Sequence, residues 1–173
     1  MIEVTVSRLG LDSSTNSYVV VLQERDGTRL LPIWIGQPEA ESIVMHMHNV
    51  KRSRPLTHDL VRSLIVGMGA QLRRVQITRV EKSTYYAELH IQRSEALVQV
   101  DARPSDSIAI ALRLDAPIFA QEALLTAVSA EDDESEAEVD KEIRLSKESA
   151  MSSEQLIQYL ENLRPEDFGK FNL

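Results

Sequence analysis

Two short stretches of this chain place an arginine, a proline, a hydroxyl and a carboxylate together where a helix is expected to begin. The first is Arg54-Pro55-Leu56-Thr57-His58-Asp59, and the second is Arg103-Pro104-Ser105-Asp106, with Asp101 at the end of the preceding strand. A helix start presents backbone N–H groups that the helix itself cannot satisfy, so an anion is favoured there. An arginine and a carboxylate beside such groups can hold phosphate and a divalent cation together, because Mg²⁺ and Mn²⁺ take oxygen ligands and guanidinium takes phosphate. On that chemistry His58, Asp59 and Asp106 are candidate catalytic residues, and Asp59, Asp101 and Asp106 are candidate ligands for Mg²⁺ or Mn²⁺. Arg54 and Arg103 are candidate phosphate contacts, joined by Lys51 and Arg52 from the basic run Lys51-Arg52-Ser53-Arg54. The same residues also suit a purely architectural use. Thr57 or Ser105 can cap a helix, Asp59 or Asp106 can complement its dipole, and a basic loop can simply be solvated.

Other reactive types are less well spaced. Glu39 and Glu41 are two residues apart in an expected helix, so they point to different sides and cannot both face one ion without help from elsewhere. His46 and His48 share that spacing, whereas ligands on one helix face need i and i+4, so both are expected at a surface or interface. Trp34, on a strand beside Pro32, is open between stacking on a base and packing in a core or interface. With no cysteine there is neither a disulfide framework nor a thiolate site, and no glycine-rich phosphate loop is present.

The elements that must position these residues are legible from periodicity. Ile2, Val4 and Val6 alternate, Tyr18 to Leu22 is a continuous apolar run, Asp26-Gly27 marks a hairpin turn, and Leu31, Ile33 and Ile35 alternate again. A helix then opens at Pro38 and runs to about Val50. A second, capped by Thr57, carries Leu60, Val61, Leu64, Ile65 and Met68 on one stripe and stops at Gly67 and Gly69. Strands are expected at about Leu72 to Val80, Tyr85 to Ile91 and Ala96 to Asp101. A buried helix follows from Pro104 and stops at Asp115-Ala116-Pro117, before a short strand at Ile118-Phe119. A shift of 65 lays Ile33, Ile35, Ser42, Ile43 and Met47 on Val98, Val100, Ser107, Ile108 and Leu112. The expected fold class is therefore α+β, with duplicated strand–strand–strand–helix units packed around one shared core, because neither half can bury its apolar face alone.

Charge divides the chain. Residues 1–125 hold 14 Lys and Arg against 14 Asp and Glu, while the remainder holds 5 against 13 and carries the whole net charge of -8. We therefore read residues 1–125 as the domain, 126–150 as an acidic solvated linker, and 151–173 as a tail. In that tail, Ser152 and Gln155 form a capping box for an amphipathic helix built on Leu156, Ile157, Leu160 and Leu163. A neutral domain lacks the overall basic footprint of a tight nucleic-acid binder. No apolar run approaches the roughly 18 residues of a spanning helix, and the first residues read as a strand and not as a secretory signal. A cytoplasmic protein with no membrane association is expected.

LPIWIGQPEAESI (Leu31 to Ile43), RPLTHDL (Arg54 to Leu60), YAEL (Tyr86 to Leu89) and ARPSDSIAIALRLDAPIF (Ala102 to Phe119) together resemble the bifunctional nuclease family, in order and spacing. LRPEDF (Leu163 to Phe168) is similar to the tail of many bacterial members. The resemblance covers residues 1–125 well and the tail more loosely. It implies a compact, often self-associating α+β domain and a nuclease acting on DNA, RNA or both. It carries no settled catalytic constellation, so the residues above keep the roles their own chemistry suggests. The expectation is a nuclease with nucleic acid as substrate, dependent on Mg²⁺ or Mn²⁺ and forming a homodimer or higher homo-oligomer. The competing expectation is a non-catalytic dimeric binding or regulatory module whose acidic tail engages a partner.

Overall fold

The computed structural model describes residues 1–12 and 17–127, so the tail helix and all but the first two residues of the acidic linker fall outside the described residues. Seven strands form one mixed sheet in the order β3-β2-β1-β7-β4-β5-β6. β1 (Ile2–Asp12), β2 (Ser17–Glu24) and β3 (Leu30–Ile35) make an antiparallel meander, followed by α1 (Gln37–Met47). After α2 (Thr57–Gly67) the order repeats as β4 (Ala70–Glu81), β5 (Thr84–Arg93), β6 (Ala96–Ala102) and α3 (Pro104–Arg113). Each half thus reads strand–strand–strand–helix, with α2 as the connector.

Local chemistry explains most of the boundaries. The two-residue turn between β4 and β5 holds Lys82 at φ 48° and Ser83 at φ 62°, the paired positive φ that matches the twist of a tight hairpin. Gly36 and Arg103 take extended backbone just before α1 and α3, and prolines follow at the first helical turn, where a missing N–H costs nothing. α2 begins at Thr57, so Leu56, and not Thr57, occupies the capping position. No hydroxyl is needed there, because the Asp59 carboxylate reaches back to the Leu56 N–H at 2.9 Å.

The short strand β7 (Ile118–Ala120) joins the two halves. It runs antiparallel to β1, with Val4 opposite Ile118, and parallel to β4, with Val75 opposite Ile118. Its Ile118 and Ala120 lie in one apolar core with Val20, Leu22, Ile33, Ile43, Ile77 and Ile108, drawn from both halves. Burying each of the larger side chains contributes about 1.5–3 kcal/mol. α3 is the most enclosed element. It packs against α1, α2, β4 and β5, and eight of its ten residues are buried.

Two expectations about faces are corrected. The α2 stripe does not bury as one unit: Ile65 is buried, but Leu60, Leu64 and Met68 are exposed. α2 packs mainly on α3 and β4, and the part of its apolar face that neither covers stays in solvent. β6 is an edge strand with Leu97, Val98 and Val100 all exposed, so its alternation marks no core face. Among the described residues no helix is long and apolar enough to cross a membrane.

Candidate functional site

The three helices are tied together by polar side chains, and the ties converge on residues near their starts. Glu39, in the first turn of α1, accepts from Arg103 Nη2 at 2.6 Å, which links the beginnings of α1 and α3. Arg103 also donates through Nε to Asp106 Oδ2 at 2.7 Å and through Nη2 to Asp106 Oδ1 at 3.2 Å, an i to i+3 fork. Asp106 in turn meets α2, its Oδ1 lying 3.0 Å from His58 Nε2. The other ring nitrogen of His58, Nδ1, lies 2.8 Å from Ser42 Oγ on α1. One chain of contacts therefore runs Ser42, His58, Asp106, Arg103, Glu39 and crosses all three helices.

Proton positions in that chain follow from what each group can do. An ionised carboxylate only accepts, so His58 Nε2 carries the hydrogen that Asp106 receives. A neutral His58 then has its lone pair on Nδ1, and the Ser42 hydroxyl donates to it. Burial alone raises the Asp106 carboxyl. The hydrogen bonds from Arg103 and His58, and their charges, more than offset this and hold it below its ordinary 3.8.

Asp59 serves a different tie. Its Oδ1 accepts from Arg113 Nε at 2.6 Å and its Oδ2 from the Leu56 N–H. Arg113 is buried, with only 4% of its side chain exposed, and its remaining donors meet Ala109 O at 3.0 Å and Ser42 O at 3.1 Å. A guanidinium that deep needs both a counter-charge and acceptors for its N–H groups, and here each helix supplies one partner. Burial raises Asp59, while Arg113 and the Leu56 N–H bring it below 3.8.

The residues singled out by sequence are thus partly gathered. His58 and Asp106, from different halves, are brought into contact, and Arg103 joins them. Asp59 sits next to His58 in sequence but faces Arg113. Asp101 lies exposed on β6, in register with Glu88. The three aspartates expected as metal ligands do not form one centre, and among the described residues no group of three or more His, Asp or Glu is arranged to hold an ion. The donor chemistry agrees. Both oxygens of Asp59 and of Asp106 already accept from N–H donors, three of them on cationic guanidinium groups that offset the negative charge a cation would need. Glu39 and Glu41 do diverge as their spacing requires, one to Arg103 and the other to Gln37.

Lys51, Arg52 and Arg54 lie exposed along the loop between α1 and α2. With His46, Asn49, Asp59 and Arg113 they line an open cleft of about 430 Å³. Among the described residues no carboxylate pairs with Lys51, Arg52 or Arg54, so these cations are available to an anion. A second cleft, of about 380 Å³, opens where β3 meets α1, lined by Trp34, Gly36, Tyr85, Arg103, Pro104 and Ser105.

Sequence reading missed Ser42 and Arg113. Ser42 looks like a small residue filling a helix face, and only its 65-residue shift onto Ser107 hinted at a shared role. That hint is not met, because Ser107 Oγ is buried and has no hydrogen-bond partner among the described residues. Arg113 stood in a nearly apolar helix, and a lone charge in such a setting was the available signal.

The description "Bifunctional nuclease domain" belongs to a family model that matches residues 20–133. An uncharacterised protein of Mycobacterium tuberculosis is 40% identical over 167 residues, covering 96% of this chain and 97% of that one. "Bifunctional nuclease 1" of Oryza sativa subsp. indica is 31% identical over 114 residues, 64% of this chain and 34% of that protein. "Bifunctional nuclease 2" of Arabidopsis thaliana is 35% identical over 103 residues, 57% of this chain and 31% of that protein.

Proposed function

The chain belongs to the bifunctional nuclease domain family, and we propose that it hydrolyses phosphodiester bonds in DNA, RNA or both. Beyond family membership, the observation that carries the reading is the cleft beside the α1–α2 loop. Lys51, Arg52 and Arg54 surround that concavity without carboxylate partners among the described residues. Unpaired cations around a cleft attract an anionic backbone locally, even in a domain whose overall charge is balanced.

In this proposal the backbone lies along Lys51, Arg52 and Arg54, and His58 with Asp106 is the reacting pair. Hydrolysis adds the oxygen of water to phosphorus and breaks a P–O bond, so a nearby group must take one proton of that water and the departing oxygen must gain one. The His58 imidazole is the group offered for this, with Asp106 holding its Nε2–H and orienting the ring. Arg103 keeps Asp106 ionised. Mg²⁺ or Mn²⁺ dependence stays part of the proposal. Because Asp59, Asp101 and Asp106 do not gather into a centre, no step is assigned to a metal. We also place the protein in the cytoplasm as a homodimer or higher homo-oligomer.

A second reading, a non-catalytic binding module, is favoured by one specific feature. His58 is buried, and the nitrogen that would take the proton already faces Ser42 Oγ at 2.8 Å. One assay separates the two. Purified protein is incubated with single-stranded DNA or RNA in Mg²⁺ or Mn²⁺, and again in EDTA, alongside His58→Ala and Asp106→Ala. Cutting that stops in EDTA and falls at least about 100-fold in each variant supports the reacting pair, since one acid–base group typically contributes 10²–10⁴-fold. Binding without cutting supports the module, and cutting that survives in both variants assigns the pair to architecture.

A further inference from the structure

We propose that the second cleft is a subsite for one unpaired nucleobase, stacked on Trp34; this rests on the nuclease reading and extends it to how a single strand is held. Trp34 lies on β3 between Ile33 and Ile35, which point into the core at 3% and 9% exposure, so its own ring points the other way and is 55% exposed. A large ring half in water contributes little to the core, yet it is not left to swing. Its indole N–H is donated to Asp12 Oδ2 on β1 at 3.3 Å, which anchors one edge and leaves a face open.

Trp34 lines the 380 Å³ cleft together with Tyr85 and Arg103. The volume falls within the roughly 300–1,000 Å³ typical of small-ligand clefts. Two aromatic residues and a planar guanidinium in one concavity are the surfaces on which unpaired bases stack. Charge decides which part of a nucleotide enters. Arg103 is bound by both Glu39 and Asp106, so the three together carry a net negative charge when ionised, which repels a phosphate. A neutral, flat ring is not repelled. The phosphates are left to the Lys51–Arg54 cleft, whose cations have no carboxylate partner among the described residues. The two clefts sit at opposite ends of α1 and α3, about 15 Å apart at 1.5 Å per helical residue, so a base in one and the phosphates of nucleotides further along the strand in the other require a strand that is unpaired there.

Trp34 is the chain's single tryptophan, so its fluorescence reports on this cleft alone. The full chain is titrated in EDTA, so that no cutting intervenes, with a ten-residue oligodeoxythymidine and with an abasic strand of equal length. Binding is followed in parallel by anisotropy of the labelled strands. The expected result is saturable quenching by the base-bearing strand and much less by the abasic one. Trp34→Phe should keep affinity within a few-fold, whereas Trp34→Ala should lose roughly 5- to 150-fold, the range for removing one stacking partner. Thermal melting of both variants confirms that they fold.

Anisotropy showing tight binding without quenching, or with equal quenching by the abasic strand, would overturn the subsite while leaving the nuclease reading intact. Absence of binding by either strand would overturn the subsite, and the nuclease reading then stands or falls on the cutting assay with DNA and RNA in Mg²⁺ or Mn²⁺. A Trp34→Ala variant that changes the sedimentation of the free protein would show Trp34 to be a contact between copies, and that too refutes the subsite.

Discussion

Asp59→Ala should act on stability before it acts on any reaction. The substitution removes the one charged partner that Arg113 has among the described residues, and the Arg113 side chain is 4% exposed. Breaking a buried ion pair by deleting one member typically costs 3–5 kcal/mol, because the other charge is left uncompensated in a poorly solvated place. Two features set this case at the lower end. Asp59 is itself 36% exposed, so part of the pair's attraction is screened, and Arg113 keeps Ala109 O and Ser42 O as acceptors. The Leu56 N–H also loses its acceptor, which adds about 1 kcal/mol if water does not replace it. A loss of about 3 kcal/mol follows, read as a lower urea midpoint at unchanged m, with a melting temperature lower by roughly 10 °C or more. Replacing both partners with Leu removes the stranded charge and should recover most of the loss, since apolar replacements of buried pairs are often neutral. The reasoning is refuted if Asp59→Ala costs under about 1 kcal/mol while abolishing nuclease activity. That result would return Asp59 to the reacting groups.

The remaining expectations address the substrate surface, acid response and assembly. Lys51→Glu with Arg54→Glu should weaken binding to a single-stranded oligonucleotide and lower the salt slope by about 0.7 for each phosphate no longer neutralised, with melting nearly unchanged; an unaltered slope would remove this loop from the interface. Asp59 and Asp106 both titrate below 3.8 when folded, so the unfolded chain binds more protons in that window. Their stabilisation is complete above the ordinary carboxylate range and is lost as pH falls through the folded values, so denaturation midpoints should drop with acid below about pH 4. Asp106→Asn should flatten part of that dependence, and a curve of identical shape would count against the His58–Asp106–Arg103 chain. Antiparallel pairing of two β6 strands about Gln99 sets Val98 opposite Val100, so Val98→Lys should shift a self-associated species toward monomer in sedimentation; an unchanged distribution places assembly elsewhere.

Periodicity alone determined the run of elements in this chain. Alternation at Ile2, Val4 and Val6 and at Tyr85, Ala87, Leu89 and Ile91, with breaks at Asp26-Gly27, Gly36 and Gly69, marks strands and stops because it reports local burial and local backbone freedom. The helix-start motifs were visible for the same reason, since a proline followed by a carboxylate is a local signature. What those carboxylates face was not local. His58 meets Asp106 across 48 residues and Arg113 meets Asp59 across 54, so only the packing of α3 between α1 and α2 decided which acid took which base. Sequence grouped Asp59 with His58 because they are neighbours, yet adjacent helical residues point about 100° apart and reach different partners. Exposure was decided the same way. The stripe on α2, the alternation of β6 and the ring of Trp34 are all apolar, and whether such a side chain is buried depends on whether another element lies over it, a property of the fold that no single strand or helix contains.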